Sequence, residues 1–191
     1  MTRPGLTQAI SAAPNILSAL RLLAAPFAAW LIIMGHDMAA LLVFAAAGLS
    51  DGLDGFIARR WGATSDFGAW LDPVADKLLM LFSLSALCIV GVTPLWLVGL
   101  VVARDVAIVA GWLLVKLLGL AVAVSPLFIG KLSTAIQILY ILGALMLLAF
   151  DIQAPRLEQV GAWISGLVTI LSAAVYAGVF LRTVFRGRST A

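Results

Sequence analysis

Charged side chains are scarce in this sequence. Only 11% of its 191 residues are Asp, Glu, Lys or Arg, whereas 63% are hydrophobic and the mean hydropathy is +1.14. Soluble domains are usually about 45–50% apolar, so this composition excludes an ordinary soluble protein. We therefore expect an integral membrane protein, and we expect no nucleic-acid partner.

Cysteine, histidine and linker sequence are also nearly missing. The single cysteine, Cys88, excludes an intrachain disulfide and lies in an apolar run, where we expect it to pack. The single histidine, His36, stands beside Asp37 in a short break, and we expect a solvated loop residue rather than a metal ligand. Without repeats or low-complexity tracts, residues 1–191 fit one domain. The N-terminal region offers no convincing cleavage site, so we expect the first helix to be retained rather than removed as a signal peptide.

Long apolar runs, in contrast, are abundant. A membrane-spanning helix needs about 20 mainly apolar residues. Six windows meet this requirement: 15–35, 38–60, 70–92, 94–119, 131–150 and 158–182. The sequence therefore predicts an all-α integral membrane protein with six transmembrane helices.

The basic residues predict the orientation of these helices. If the N-terminus is cytoplasmic, eleven of the twelve Lys and Arg residues lie at or near the cytoplasmic side, and only Arg156 lies outside. Cytoplasmic loops of membrane proteins carry such an excess. We expect both termini in the cytoplasm and, as the host bilayer, a bacterial inner membrane.

Four aspartates interrupt the apolar sequence. Asp51 and Asp54 end the second predicted helix at the cytoplasmic side, and Asp72 and Asp76 begin the third, each pair on one helix face. A charge near the bilayer centre costs about 2.5–3.5 kcal/mol on insertion scales, and neighbouring carboxylates repel one another. Divalent cations would remove both penalties. Oxygen ligands favour Mg²⁺ or Mn²⁺, and four carboxylates indicate two ions.

An isolated aspartate at a helix end is usually a cap, but the residues around these four favour a ligand site. Glycine and alanine keep the helix faces narrow beside the acids, and Arg59 supplies a cation suited to phosphate. These neighbours are Gly55, Ala58, Arg59 and Gly68. We therefore expect an active site at the cytoplasmic side of the membrane.

The acids and their neighbours form the pattern D-x2-D-G-x2-A-R-x8-G-x3-D-x3-D without a departure. This pattern resembles the signature of the CDP-alcohol phosphotransferases. The resemblance implies that a CDP-linked donor such as CDP-diacylglycerol is held by its diphosphate on two metals. It further implies that an acceptor hydroxyl attacks the phosphorus remote from cytidine, so that CMP leaves.

The same resemblance implies individual roles. Asp51, Asp54 and Asp72 would be shared metal ligands, and Asp76 would complete the second metal and act as general base. The nucleotide and its diphosphate would contact Gly55, Ala58, Arg59 and Gly68. Proteins of this family are homodimers, and we expect a homodimer here.

The acceptor alcohol is indicated by cations within the apolar spans, which are Arg21, Arg104 and Lys131. Buried cations in membranes are usually functional, so these three predict an anionic lipid or another phosphate-bearing alcohol. Arg104 could instead pair with Asp105, and Lys131 could extend to the membrane interface. Within the family, "RDVAIVAGWLL" and the serine at 133 are more similar to the branch that uses phosphatidylglycerol than to the branch that uses glycerol 3-phosphate.

Two other function classes are compatible with membrane-embedded acids. A cation transporter usually places its charges near the midplane on broken helices or inverted repeats, which this sequence lacks. A noncatalytic lipid-binding protein would not need the complete set of metal ligands with a candidate base. Metal-dependent release of CMP would distinguish the enzyme from both.

Overall fold

The computed structural model describes the backbone of residues 4–61, 66–118 and 128–188, and the side chains of residues 18–50, 73–118 and 128–183. Within these ranges the chain forms six helices and no strand. They are α1 (Pro4–Ile33), α2 (Asp37–Trp61), α3 (Asp66–Ile89), α4 (Leu95–Leu117), α5 (Phe128–Ala149) and α6 (Pro155–Arg188). The predicted all-helical class is confirmed. Helices α1 and α6 are longer than the apolar windows predicted for them, because each continues as a helix into flanking residues that lie outside the apolar run.

Three of the helices are long and apolar enough to cross a membrane. Among the described residues these segments are Leu95–Leu117, Phe128–Ala149 and Pro155–Thr183. Helices α1 and α2 contribute the shorter apolar stretches Ser18–Ile33 and Asp37–Ser50. Large apolar side chains such as Leu117 and Leu139 point outward on α4 and α5, as in helices that contact lipid.

The chain divides into two compact units. The first comprises Met1–Val92 and Ile141–Gln153, and the second comprises Thr93–Tyr140 and Ala154–Ala191. Helix α5 therefore contributes to both.

Small side chains organise the first unit, in which α1 packs against α2 and α3. Ala25 and Ala28 of α1, Ala40 of α2 and Ala75 of α3 are completely buried. Alanine lets helix backbones approach closely, which is how membrane helices gain contact without a hydrophobic driving force. The face of α1 that carries these alanines also carries Arg21.

Glycines facing aromatic rings organise the second unit, in which α4 packs against α6. A Cβ atom at Gly166 of α6 would lie 2.6 Å from the ring of Trp96 on α4. In the opposite direction, a Cβ atom at Gly111 of α4 would lie 2.6 Å from the ring of Phe180 on α6. Each helix thus provides a ring and a glycine that accommodates the other helix's ring.

Helices α1, α3 and α5 end with the same hydrogen-bond pattern. After α1, the N–H of Gly35 donates to the carbonyl of Ile32 and the N–H of His36 donates to that of Leu31. Two residues after the end of each helix, the backbone adopts a positive φ angle. These residues are Gly35 (φ 74°), Gly91 (φ 85°) and Asp151 (φ 53°). This Schellman arrangement satisfies the last carbonyls and ends each helix sharply.

Candidate active site

The motif residues lie on α2 and α3, but most of their side chains are outside the described part of the structure. Backbone helix extends through Asp51 and Asp54 on α2 and through Asp72 and Asp76 on α3. Of the four acids, only Asp76 has a described side chain. The predictions for Asp51, Asp54, Asp72, Gly55, Ala58, Arg59 and Gly68 therefore remain predictions.

Asp76 forms an ion pair with Arg21. Arg21 Nη1 of α1 donates to Asp76 Oδ1 of α3 at 2.5 Å. The arginine side chain is fully buried, whereas 38% of the aspartate side chain is exposed. The guanidinium therefore holds the position of a carboxylate that a ligand can still reach.

The sequence did not predict that Arg21 pairs with Asp76. Arg21 was instead predicted to be one of three cations that bind the acceptor. The two residues are 55 positions apart, and only the packing of α1 on α3 brings them together. One signal was present: Ser18, Arg21, Ala25 and Ala28 recur at helical spacing, which places Arg21 on the buried face of α1.

The fit of a divalent cation can be judged from the donor chemistry. Among the described side chains there is no group of three or more His, Cys, Asp or Glu residues. Three of the four predicted ligands, Asp51, Asp54 and Asp72, lie outside the described side chains. The donors are carboxylates throughout, and Asp76 is partly exposed, which fits a hard cation such as Mg²⁺ or Mn²⁺.

Arg104 of α4 is a buried charged residue of the second unit. It is only 5% exposed. Its Nη2 and Nε atoms both donate to Ser172 Oγ of α6, at 2.7 and 3.3 Å. The ring of Tyr176, one turn later on α6, lies 5.7 Å from Arg104 Cζ.

Arg104 also pairs with its sequence neighbour. Nη1 donates to Asp105 Oδ1 at 2.7 Å, so the alternative pairing considered from the sequence is confirmed. Adjacent residues on a helix point about 100° apart, and the length of the arginine side chain bridges that angle. The pairing does not exclude a ligand, because it engages one N–H group of the guanidinium.

Lys131, the third predicted acceptor cation, is exposed at the start of α5. No ion pair or hydrogen bond of its ammonium group is found among residues 18–50, 73–118 and 128–183. It follows Gly130, which is buried beside Tyr176. This exposed position suits either extension to the interface or contact with a ligand.

A buried polar row on α6 was missed by sequence reasoning. It consists of Ser165, Thr169, Ser172 and Tyr176. Thr169 accepts a hydrogen bond from Gln137 Nε2 of α5 at 2.9 Å. The intervals of four, three and four residues place all four side chains on one face, and this spacing was the available signal.

The structure places His36 in a loop and Cys88 within an apolar helix, as the sequence predicted. His36 is exposed in the turn after α1, with its ring 6.1 Å from that of Trp30. Cys88 is half-buried within α3.

The sequence matches a known family over most of its length. Residues 11–174 match the family described as CDP-alcohol phosphatidyltransferase. The chain is 33% identical over 183 residues to a Drosophila melanogaster protein named a probable cardiolipin synthase (CMP-forming), covering 85% of this chain and 56% of that protein.

Two further relatives carry different names. A protein of Oryza sativa subsp. japonica, named CDP-diacylglycerol–glycerol-3-phosphate 3-phosphatidyltransferase 1, chloroplastic, is 32% identical, covering 85% of this chain and 55% of the relative. The Homo sapiens cardiolipin synthase (CMP-forming) is 35% identical, covering 72% of this chain and 51% of the relative. The chain thus spans about half the length of these relatives.

The match over residues 11–174 includes the complete aspartate pattern, the Arg21–Asp76 ion pair and most of the buried polar row on α6. The chain therefore belongs to the CDP-alcohol phosphatidyltransferase family.

Proposed function

We propose that this protein transfers a phosphatidyl group from CDP-diacylglycerol to a hydroxyl of phosphatidylglycerol, giving cardiolipin and CMP. The observation that carries the proposal is the intact eight-residue pattern between Asp51 and Asp76 in a chain of this family. The names of the Drosophila and human relatives support the choice of acceptor.

The donor would be bound at the motif. Asp51, Asp54, Asp72 and Asp76 would hold two divalent cations, Mg²⁺ or Mn²⁺, which when bound neutralise charge on the diphosphate and on the attacking and leaving oxygens. Gly55, Ala58 and Gly68 would leave room for the nucleotide, and Arg59 would contact its diphosphate.

Asp76 would act as general base on the acceptor hydroxyl. As the hydroxyl oxygen forms its bond to the phosphorus remote from cytidine, its proton passes to an Asp76 carboxylate oxygen. The bond from that phosphorus to the bridging oxygen breaks, and the electron pair leaves with CMP. Arg21 would keep Asp76 in place through the 2.5 Å contact of its Nη1 with Oδ1.

The acceptor phosphate would meet the cations of the second unit, Arg104 and Lys131. Arg21, which we also considered for this role, is better suited to positioning Asp76, because its guanidinium is fully buried against that carboxylate. We further propose six membrane spans with the motif and both termini at the cytoplasmic side of a bacterial inner membrane, and a homodimeric assembly.

Glycerol 3-phosphate is the second candidate acceptor, and the name of the rice relative favours it. Its compact dianionic phosphate would need more cations, and position 133 carries a serine where a lysine would help. That serine is buried, with its Oγ 3.4 Å from Thr169 Oγ1.

An assay with four acceptors tests these proposals. Purified protein with CDP-diacylglycerol and Mg²⁺ or Mn²⁺ is given phosphatidylglycerol, glycerol 3-phosphate, inositol or serine, and the lipid product is identified by mass. Cardiolipin is expected. Phosphatidylglycerophosphate as the main product would overturn the acceptor while retaining the family and donor. Absence of metal-dependent CMP release with all four acceptors would overturn catalysis and favour a transporter or lipid-binding role.

The metal proposal has its own variants. Asp51→Asn, Asp54→Asn and Asp72→Asn should each abolish CMP release, because each removes an anionic ligand. Full activity of any of the three in the presence of a chelator would contradict the two-metal site.

A further inference from the structure

The guanidinium of Arg104 has hydrogen-bonding capacity that its contacts do not use. A guanidinium carries five N–H donors. Three engage protein acceptors, two at Ser172 Oγ and one at Asp105 Oδ1. Two donors therefore have no acceptor among the described residues, although Arg104 is only 5% exposed. Leaving buried donors of a charged group unmatched is unfavourable, so this position favours an oxygen-rich anion.

Ser172 determines which donors remain. A serine oxygen has two acceptor lone pairs, and Nε and Nη2 engage both from one edge of the guanidinium. This contact fixes the plane of the guanidinium and leaves its opposite edge facing away from Ser172. Alanine at 172 would remove the only acceptor that α6 provides to Arg104 among the described residues.

Two more residues limit the movement of this guanidinium. The ring of Tyr176 lies 5.7 Å from Arg104 Cζ. On α5, a Cβ atom at Gly130 would lie 2.7 Å from Tyr176 Oη and 3.3 Å from Arg104 Nη2, so glycine is needed for both to remain where they are. Residues of three helices thus hold the arginine in one place.

We propose that Ser172, supported by Tyr176 and Gly130, is a positioning residue that presents the two unused N–H groups of Arg104 to a phosphate group of the acceptor. The ligand class is a phosphate monoester or diester, carried by a lipid headgroup or by a small soluble alcohol. This inference rests on the proposed function for the identity of the ligand as an acceptor, and on the contacts of Arg104 for the site. Neither Ser172 nor Tyr176 belongs to the motif.

Helix packing is the competing role for a buried serine, and α6 offers a matched control. Ser165 lies seven residues earlier on the same row and is equally buried, at 1% exposed. Its Oγ has no hydrogen-bond partner in the described part of the chain. Ser165→Ala therefore removes a buried hydroxyl from α6 without altering Arg104.

The kinetic test compares Ser172→Ala, Ser172→Thr and Ser165→Ala as full-length proteins in mixed micelles. CMP release is measured against phosphatidylglycerol in one arm and glycerol 3-phosphate in the other, and then against CDP-diacylglycerol. Ser172→Ala should raise KM for the phosphate-bearing acceptor about tenfold with donor KM unchanged. Ser172→Thr, which retains the hydroxyl, should have an acceptor KM closer to that of the parent protein than Ser172→Ala has, and Ser165→Ala should match the parent protein. Equal acceptor KM values for Ser172→Ala and Ser165→Ala would overturn the proposal.

A double variant tests whether Ser172 acts through Arg104. On an Arg104→Lys background, where the two-pronged contact is already lost, Ser172→Ala should raise acceptor KM no further. A full additional tenfold increase would mean that Ser172 acts independently of Arg104, which contradicts the proposal. If Ser172→Ala is not recovered folded, Ser172→Cys replaces it, since sulfur is a weak acceptor, with the same expectations.

A binding measurement separates this inference from the proposed function. The shift in thermal unfolding temperature on adding phosphatidylglycerol or glycerol 3-phosphate is recorded without donor or metal. At one fixed ligand concentration the shift should be smaller in Ser172→Ala than in the parent protein and unchanged in Ser165→Ala, even if no acceptor supports CMP release. A shift of equal size in the parent protein and in both variants would overturn the inference, whatever the transferase activity.

Discussion

Each of the two units buries an arginine beside an aspartate, but the two pairs differ in what they connect. Arg21 reaches from α1 to Asp76 on α3, a residue of the family pattern. Arg104 contacts the neighbouring Asp105 on its own helix and takes its contact between helices from an uncharged serine, Ser172. The first pair includes the candidate base, whereas the second arginine has two N–H groups with no acceptor among the described residues.

The helix packing of the units differs in a related way. The first unit brings helices together through alanines such as Ala28 and Ala75. The second unit uses reciprocal contacts between glycines and rings, together with the buried polar row on α6. Hydrogen bonds between helices therefore lie close to the predicted acceptor cation Arg104, and aromatic contacts secure the surrounding helices.

The largest expected effect compares the two aspartates. Asp76→Asn should lower kcat about 100-fold or more, because loss of a general base typically costs 10²–10⁴ in rate. Asp105→Asn should change kcat less than about threefold, since the amide oxygen can still accept from Arg104 Nη1. Steady-state rates of CMP release at saturating donor and acceptor provide the measurement. Similar losses of kcat in both variants would contradict the expectation that Asp76, but not Asp105, acts in catalysis.

A second comparison concerns exposed lysines of the second unit. Lys131→Ala should weaken acceptor use about ten- to a hundredfold with little change in donor KM, because a charge-assisted contact to phosphate is worth about 1.5–3 kcal/mol. The control is Lys116→Ala on α4, whose ammonium lies 5.0 Å from the Trp112 ring and should leave kcat/KM within about twofold. Equal effects of the two substitutions would assign Lys131 a general surface role.

A third comparison uses two glycines of α6. Gly166→Ala should destabilise the protein by about 1–3 kcal/mol, since the new methyl group would overlap Trp96. Gly178→Ala adds a methyl group where no atom lies within 4 Å, and should be neutral or stabilising by up to about 1 kcal/mol. Thermal unfolding in detergent measures both. A neutral Gly166→Ala would show that the contact of Trp96 with α6 is dispensable.

The smallest effect is expected at the end of α5. Asp151 adopts φ 53°, where the equivalent residues after α1 and α3 are Gly35 and Gly91. Asp151→Gly should stabilise the protein by about 0.5 kcal/mol, because glycine populates this region readily. Asp151→Ala should destabilise it by a similar amount, since alanine tolerates that region less well than aspartate. A lower unfolding temperature for the glycine variant than for the alanine variant would contradict this.

The helical architecture and the family could be predicted from the sequence alone. Apolar windows and turn residues such as Gly35 and Gly91 are local features, and they predicted six helices, although α1 begins well before its predicted window and α6 ends well after its own. The pattern from Asp51 to Asp76 is also local, because its spacing lies within 26 consecutive residues. Such properties need no information about which helices are neighbours.

Which side chains contact each other was decided by the tertiary structure. Arg21 and Asp76 are 55 positions apart, and Arg104 and Ser172 are 68 positions apart. A charged side chain within an apolar run must be satisfied, which the sequence indicates, but every nearby carboxylate or hydroxyl is a candidate until packing selects one. For this reason the sequence predicted that Arg21 and Arg104 are functional cations, and only helix packing paired Arg21 with Asp76 and Arg104 with Ser172.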